Sequence, residues 1–391
     1  MGEAGKWSGW FTARNGATAP LSSRRPVRLR ERMLARARSE KSLARFDRIA
    51  LVLSSGGGLG AYQAGAYAAL EHSGVRPNWI AGTAIGAINA AIIAGNLPHE
   101  RVPRLRRFWQ ELSRRVSGRG EGWVPRRVRR WLAAGAAERD ADSAAGPSAA
   151  GGPAAGGPAR ARPLIEHGQL RELLHATIDF DRVNSGSVRL VLGAVNLVTG
   201  AEAYFDNDRH VLGPEHVLAS TPLPGLPPAI IDGERYGGAA VSVTALDEAR
   251  PADTLCFVID GYDPTPGLRG GLSRSAREIA GLRRNHDLRR MIALLGERVP
   301  TALRGDPDIR KCLAEASEAT MTILHLVHDG SAERLGARMA DLSSEAVARR
   351  WQAGESDVVT SLAHPLWLAP PPRRVGVVVH ELRGGVAGSP R

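Results

Sequence analysis

RIALVLSSGGGLGAYQAGAYAALEHSGVRPNWIAGTAIGAINAAIIAGN, residues 48–96 of the 391-residue chain, contains two glycine-rich turns, each preceded by an apolar run. The apolar run at 49–53 predicts a strand, and the glycines after it predict a tight turn whose N–H groups point above the strand end. Small apolar residues at helical spacing predict a helix over 61–70. A second strand at 79–81, a sharp turn and a helix over 87–94 follow. Alternating strands and helices are typical of an α/β protein.

The second turn, Gly82-Thr83-Ala84-Ile85-Gly86, has the Gly-x-x-x-Gly form of a nucleophile elbow. On such a turn the central residue has a strained backbone, and its side chain points into a cleft. The flanking glycines are needed because neighbouring side chains would collide there. A working elbow carries serine at its centre, whereas Ala84 has no oxygen with which to attack a substrate.

The two glycine-rich blocks resemble the patatin-like phospholipase family. The first block is GGGLGAYQAG at 56–65, and the second is GTAIGAINA at 82–90, which departs from the family pattern at Ala84 only. The resemblance covers roughly residues 47–246, and a less specific likeness to bacterial members with an extra C-terminal region continues to the end. It implies a three-layer α/β/α fold with a mostly parallel central sheet. It also implies a lipid acyl hydrolase that uses a Ser–Asp dyad and an oxyanion hole, with no catalytic histidine, cofactor or metal.

In this family the glycine turn donates backbone hydrogen bonds to the tetrahedral oxyanion. The resemblance assigns that role to the turn formed by Ser55, Gly56, Gly57, Gly58 and Gly60. The family's first glycine is replaced by Ser55, whereas Gly56 and Gly57 remain in register.

The family's base is an aspartate in an Asp-Gly-Gly or Asp-Gly-Ala turn. Counted back from the Val-Ser pair at 241–242, its position is Gly237; if the paired glycines are matched instead, its position is Tyr236. Neither register provides an acid. The nearest carboxylates, Asp232 and Asp247, are interpreted as turn residues.

With the nucleophile and the base both missing, we expect a pseudoenzyme whose cleft retains lipid or acyl binding. The first alternative is an active lipid acyl hydrolase with a different nucleophile. The nearest hydroxyls belong to Thr83, Ser54 and Ser55, and all three are interpreted as structural.

The second alternative is a dinucleotide-binding module, because Gly56, Gly58 and Ala61 match the Gly-x-Gly-x-x-Ala fingerprint. That fingerprint also requires an acidic residue at the end of the second strand, where this chain has none. His325 and His328 fall on opposite faces of an expected strand, which argues against a shared metal site.

The charge is unevenly distributed. Lys and Arg number 52 against 40 Asp and Glu, which gives +12, and the excess is concentrated in 24–45 and 101–130. A basic arm suits peripheral contact with an anionic membrane, and a solvated tail is the alternative. No nucleic-acid partner is expected, because no such motif accompanies the charge. Cys256 and Cys312 are too few for a disulfide framework and no signal-peptide core is present, so we expect a cytoplasmic protein.

The composition divides the chain into a basic, mostly disordered arm (1–46), a patatin-like domain (47–250), and a last core strand with a mostly helical C-terminal region (251–391). Residues 133–162, rich in Ala, Gly and Pro, predict a low-complexity insertion. The pattern at 102–112 predicts a helix that packs through Leu105, Phe108, Trp109 and Leu112.

Overall fold

The computed structural model describes residues 42–117, 167–221, 227–238, 243–246, 251–261, 274–328, 339–364, 366–383 and 386–387. Most of the expected arm, the insertion at 133–162, the Val-Ser pair at 241–242 and Asp247 lie outside these residues.

An eight-stranded sheet forms the centre of the molecule. Its strands are β1 (Arg48–Leu53), β2 (Trp79–Gly82), β3 (Arg189–Val195), β4 (Glu202–Asp206), β7 (Thr254–Asp260), β8 (Met321–Val327), β9 (Val377–Arg383) and β10 (Val386–Ala387). The strands β5 (Ala229–Ile231) and β6 (Glu234–Tyr236) form a separate hairpin. The spatial order of the sheet is β10-β9-β8-β7-β1-β2-β3-β4, and neighbours run parallel except in the pairs β3–β4 and β9–β10.

Helices cover both faces of the sheet. In chain order they are α1 (Gly60–His72), α2 (Ile85–Ala94), α3 (Pro98–Ser117), α4 (His167–Thr177), α5 (Phe180–Asn184), α6 (Pro214–Ala219), α7 (Arg274–Gly296), α8 (Pro307–Ala314) and α9 (Ser344–Ala363). Leu51 and Leu53 share a core with α1, α2, α3 and α9, whereas Ala50 and Val52 face α7 on the other side. The expected α/β/α layering with a mostly parallel sheet is confirmed. Among the described helices, none is long and apolar enough to cross a membrane.

The order of the strands reverses between β1 and β7. From β1 the chain proceeds outward through β2 and β3, and it later builds β7, β8 and β9 on the opposite side of β1. In open α/β sheets, ligands bind outside the carboxyl ends of the strands at such a reversal. This rule predicts a site above the carboxyl ends of β1, β2 and β7.

The C-terminal region contributes strands as well as helices. The strand expected at 321–328 is β8, and the valine-rich run that begins at Val377 forms β9 beside it. The central sheet therefore continues across the boundary expected at residue 250, and how the chain divides into domains stays a prediction. Leu43 and Phe46, placed in the basic arm by the sequence, are buried in the core. The helix expected at 102–112 extends over all of α3, and its four apolar residues are buried.

Candidate functional site

Ala84 lies on a strained turn between β2 and α2. Its φ of 54° and ψ of −126° fall where residues other than glycine are rarely found. The Ala84 N–H donates to the Ser220 carbonyl at 2.8 Å, and the Thr221 hydroxyl donates to the Ala84 carbonyl at 3.2 Å. The backbone at Ala84 thus has the strained geometry that the Gly-x-x-x-Gly pattern predicts and is held on both sides, and its side chain is a methyl group.

The two glycines of the elbow are required by close backbone contacts. A β-carbon on Gly82 would lie 2.6 Å from the Gly86 carbonyl oxygen, and one on Gly86 would lie 2.1 Å from that of Leu53. Both distances are too short for any side chain. The first helical turn after the elbow therefore packs directly on the end of β1, where the glycine turn begins.

The glycine turn is covered by the C-terminal region of the chain. Gly57 has a φ of 54°, and a β-carbon there would lie 2.7 Å from the Met339 carbonyl oxygen. The buried Arg350 donates to the carbonyls of Gly58 at 3.1 Å and Asp341 at 2.5 Å. Met339, Asp341 and Arg350 are site residues that the sequence did not reveal.

The glycine turn keeps unused donors. Within the described part of the chain, the N–H groups of Gly56 and Gly57 have no hydrogen-bond acceptor. Gly56 is buried and Gly57 is partly exposed. Backbone donors of this kind, beside a strand end, suit a carbonyl oxygen or an anion.

A buried polar network fixes the glycine turn to the elbow helix. The Gln63 amide donates to the Ser54 carbonyl at 2.6 Å, and the Asn89 amide donates to the Gly60 carbonyl at 3.0 Å. The Trp109 indole N–H completes this hydrogen-bond network by donating to the Asn89 side-chain oxygen at 3.0 Å. Since all three side chains are buried and paired, the network determines the relative position of the two motifs.

Both candidate base positions lie beside β3. The N–H of Gly237 donates to the Val195 carbonyl at 3.0 Å, at the carboxyl end of β3 and thus next to the β2 edge that carries Ala84. Tyr236 ends β6, and its ring contacts Phe205. Asp232 is exposed on the hairpin turn, with a φ of 52°. Which of the two is the base position stays a prediction.

The three hydroxyls that the sequence singled out beside the two turns are not paired with an acid in the described residues. Ser54 donates to the Ile259 carbonyl at 3.3 Å. The Thr83 hydroxyl is buried without a hydrogen-bond partner among the described residues. Ser55 is partly exposed on the glycine turn.

An acid-paired hydroxyl occurs instead at the end of β7. The Ser275 hydroxyl donates to Asp260 Oδ1 at 2.9 Å, and Asp260 Oδ2 lies 2.7 Å from His325 Nε2. Asp260 and His325 are only 3% and 1% exposed. The residue after Asp260, Gly261, packs against Gly56, so this group lies next to the glycine turn.

One weak sequence signal points to this group, namely the histidine at position 325 inside an apolar strand. Parallel pairing of β7 with β8 brings Asp260 and His325 together, and that pairing is not legible from local pattern. His328 points to the other face, as expected from its spacing, and stacks on Tyr62. The Tyr62 hydroxyl donates a hydrogen bond to Asp357 at 2.9 Å. Its pKa is raised well above the ordinary value, mainly because the hydroxyl is buried and also because Asp357 is negatively charged.

Comparison with known proteins adds two family matches. Residues 51–261 match a family described as patatin-like phospholipase, and residues 272–374 match one described as patatin phospholipase. No curated protein matches the chain. Among solved structures, VipD from Legionella pneumophila is similar at 10% identity and a TM-score of 0.33 over 78% of this chain and 67% of that chain, which is too low to support an argument. The first match alone spans more than half of the 391 residues, and the chain therefore belongs to the patatin-like phospholipase family.

Proposed function

We propose that this chain is a pseudoenzyme of its family that binds a lipid or an acyl group without hydrolysing it. The observation that carries the proposal is Ala84, which has the strained backbone of a nucleophile but only a methyl side chain. Gly237 and Tyr236 leave the base position without a carboxylate. The unused N–H groups of Gly56 and Gly57 support retained binding of an acyl oxygen.

Hydrolysis by the pure full-length chain is the first test. We expect no release of p-nitrophenol from medium-chain esters, and no release of fatty acid from phospholipid vesicles, above the rate without protein. Retained binding is the second test. Laurate should raise the melting temperature, as expected for a ligand that binds only the folded state. Ala84→Met, which fills the space above the turn, should remove that rise.

Restoring the dyad tests the assignment of the vacant positions. Ala84→Ser alone should stay inactive because no base accompanies it. Ala84→Ser with Gly237→Asp should raise esterase activity by about 10²–10⁴ over background. Ala84→Ser with Tyr236→Asp is the matched control for the other register. If neither double variant gains activity, the assignment of the base position is wrong.

One observation favours a second function, an active acyl hydrolase with a non-standard nucleophile. In this group Ser275 would be the nucleophile, Asp260 its base and His325 the group that orients Asp260. The hydrogen bonds that join them have suitable lengths. In this reading Ser275 Oγ attacks the acyl carbonyl while Asp260 accepts its proton. Turnover by the wild type that Ser275→Ala abolishes, and that Ser54→Ala and Ser55→Ala leave unchanged, would establish this function and contradict the pseudoenzyme.

A further inference from the structure

The helical hairpin formed by α7 and α8 exposes an apolar surface. Four of its large apolar residues lie on one side of the last two turns of α7, and a fifth follows in the connecting turn. They are between 51% and 57% exposed: Leu288, Met291, Leu294, Leu295 and Leu303. The connecting turn and α8 contain no buried residue. We call these five residues the apolar tip.

The apolar tip lies at the amino edge of the sheet. At the start of α7, Ser275 contacts Asp260 at the carboxyl end of β7. Fifteen residues later, about 22 Å along the helix, Arg290 donates to the Arg373 carbonyl at 3.5 Å. Arg373 in turn pairs with Asp253, directly before β7, at 3.1 Å. By Arg290 the helix has therefore passed the strand, and the residues after it project beyond the sheet.

The surroundings of the apolar tip are basic. Residues 283–311 contain eight Lys and Arg against four Asp and Glu. The described chain also enters the fold at this edge, where the Asp47 N–H donates to the Asp253 carbonyl at 2.9 Å, and the basic run at 24–45 precedes this point in the sequence. Like charges argue against coverage of the apolar tip by this arm or by a second copy of the chain. A partner that is both apolar and anionic fits the surface.

We propose that the apolar tip docks on a membrane surface that carries anionic lipids. A helix with leucines on one side and arginines beside them buries its apolar side at the level of the acyl chains and keeps its cations at the head groups. Apolar patches rimmed by polar residues mark such sites on folded proteins. The charge of the basic run that precedes this edge in the sequence favours the same anionic membrane.

The apolar tip is separate from the candidate site at Ala84. Ala84 follows the carboxyl end of β2, whereas the apolar tip lies beyond the amino ends of the strands. Docking therefore does not depend on a ligand at Ala84, and either proposal can fail without the other.

The test is sedimentation of the full chain with vesicles of phosphatidylcholine containing about a third phosphatidylserine. We expect binding that decreases as salt is added, because exposed charges are screened. Leu295→Glu should weaken binding at least tenfold. Val198→Glu is the matched control: it replaces a 71% exposed apolar residue at the opposite edge with the same charge, and it should bind as the wild type does. Circular dichroism verifies that both variants are folded.

Three results would overturn the proposal. The full chain does not bind these vesicles at low salt; Leu295→Glu binds them as tightly as the wild type; or sedimentation velocity shows a dimer that Leu295→Glu separates into monomers, which identifies a second copy as the partner.

Discussion

At the scale of single residues, the feature that needs explanation is the positive φ of Ala84. A non-glycine residue in such a conformation costs about 1–3 kcal/mol, and the surrounding structure must supply that energy. Here Ser220 and Thr221 hold the peptide groups of Ala84, while Gly82 and Gly86 allow the close backbone contacts around it. The strained turn is therefore kept at a residue whose side chain is only a methyl group.

Ala84→Gly should release this strain. We expect the free energy of unfolding to rise by about 1 kcal/mol, since the relief at positive φ exceeds the extra chain entropy of glycine. Ala87→Gly, in the interior of α2, is the control and should lower it by about 1 kcal/mol. Urea denaturation measures both changes. A destabilised Ala84→Gly would show that the turn is not strained.

At the scale of elements, the tightest contact joins α1 to α9. A β-carbon on Gly65 would lie 2.0 Å from the Trp351 carbonyl oxygen, and one on Gly354 would lie 2.1 Å from that of Tyr62. The two helix backbones therefore touch, and α9 carries Arg350 to the glycine turn. This contact positions the C-terminal cover of the site.

Gly354→Ala should force the two helices apart. We expect a loss of about 3 kcal/mol in the free energy of unfolding, because the obstructing atoms belong to the backbone and cannot rotate away. Gly168→Ala, in α4, is the control: nothing lies within 4 Å of the added carbon, so stability should stay constant or rise by up to about 1 kcal/mol. Equal effects of the two substitutions in urea denaturation would refute the close packing.

The helix α6, which leads into Ser220 and Thr221 beside the elbow, should make stability depend on pH. His216 accepts a hydrogen bond from the Gly213 N–H through Nδ1 at 3.0 Å, and burial lowers the pKa of His216 below its ordinary value. The unfolded chain binds the proton more readily, so this contribution to stability is full above about pH 6.5 and is lost as the pH falls from there through the lower pKa of the folded state. Melting temperatures at about pH 7.5 and 5.5 should differ less in His216→Gln than in the wild type. An unchanged difference would exclude His216 as the cause.

Local sequence patterns predicted the elements that carry the two glycine motifs, because turn chemistry and helical spacing act over a few residues. The elbow at Ala84 and the helix over 102–112 are of this kind. The group of Ser275, Asp260 and His325 was missed, since it depends on strand pairing between distant segments. The contact of Met339 with Gly57 was missed for the same reason: the two residues are brought together by the packing of α9, not by any motif.

At the scale of the whole molecule, one sheet joins both family matches. β7 belongs to the first match and β8 to the second, yet they are adjacent parallel strands, and β9 pairs with β8 just beyond the second match. Thermal unfolding should therefore show a single transition. A chain truncated after residue 270 should be insoluble or unfolded, because the apolar strand β7 would become an edge. A soluble, cooperatively folding truncation would contradict this.

Met339 and Arg350 cover the glycine turn, and this contact matters for the design of chimaeric proteins. The residues that cover the turn lie far downstream of it in the sequence, and Gly58 and Arg350 are 292 positions apart. A chimaera that contains only the N-terminal motifs would lack Met339 and Arg350. A ligand that binds at the turn would therefore contact a surface that is formed by both the N-terminal and the C-terminal parts of the chain.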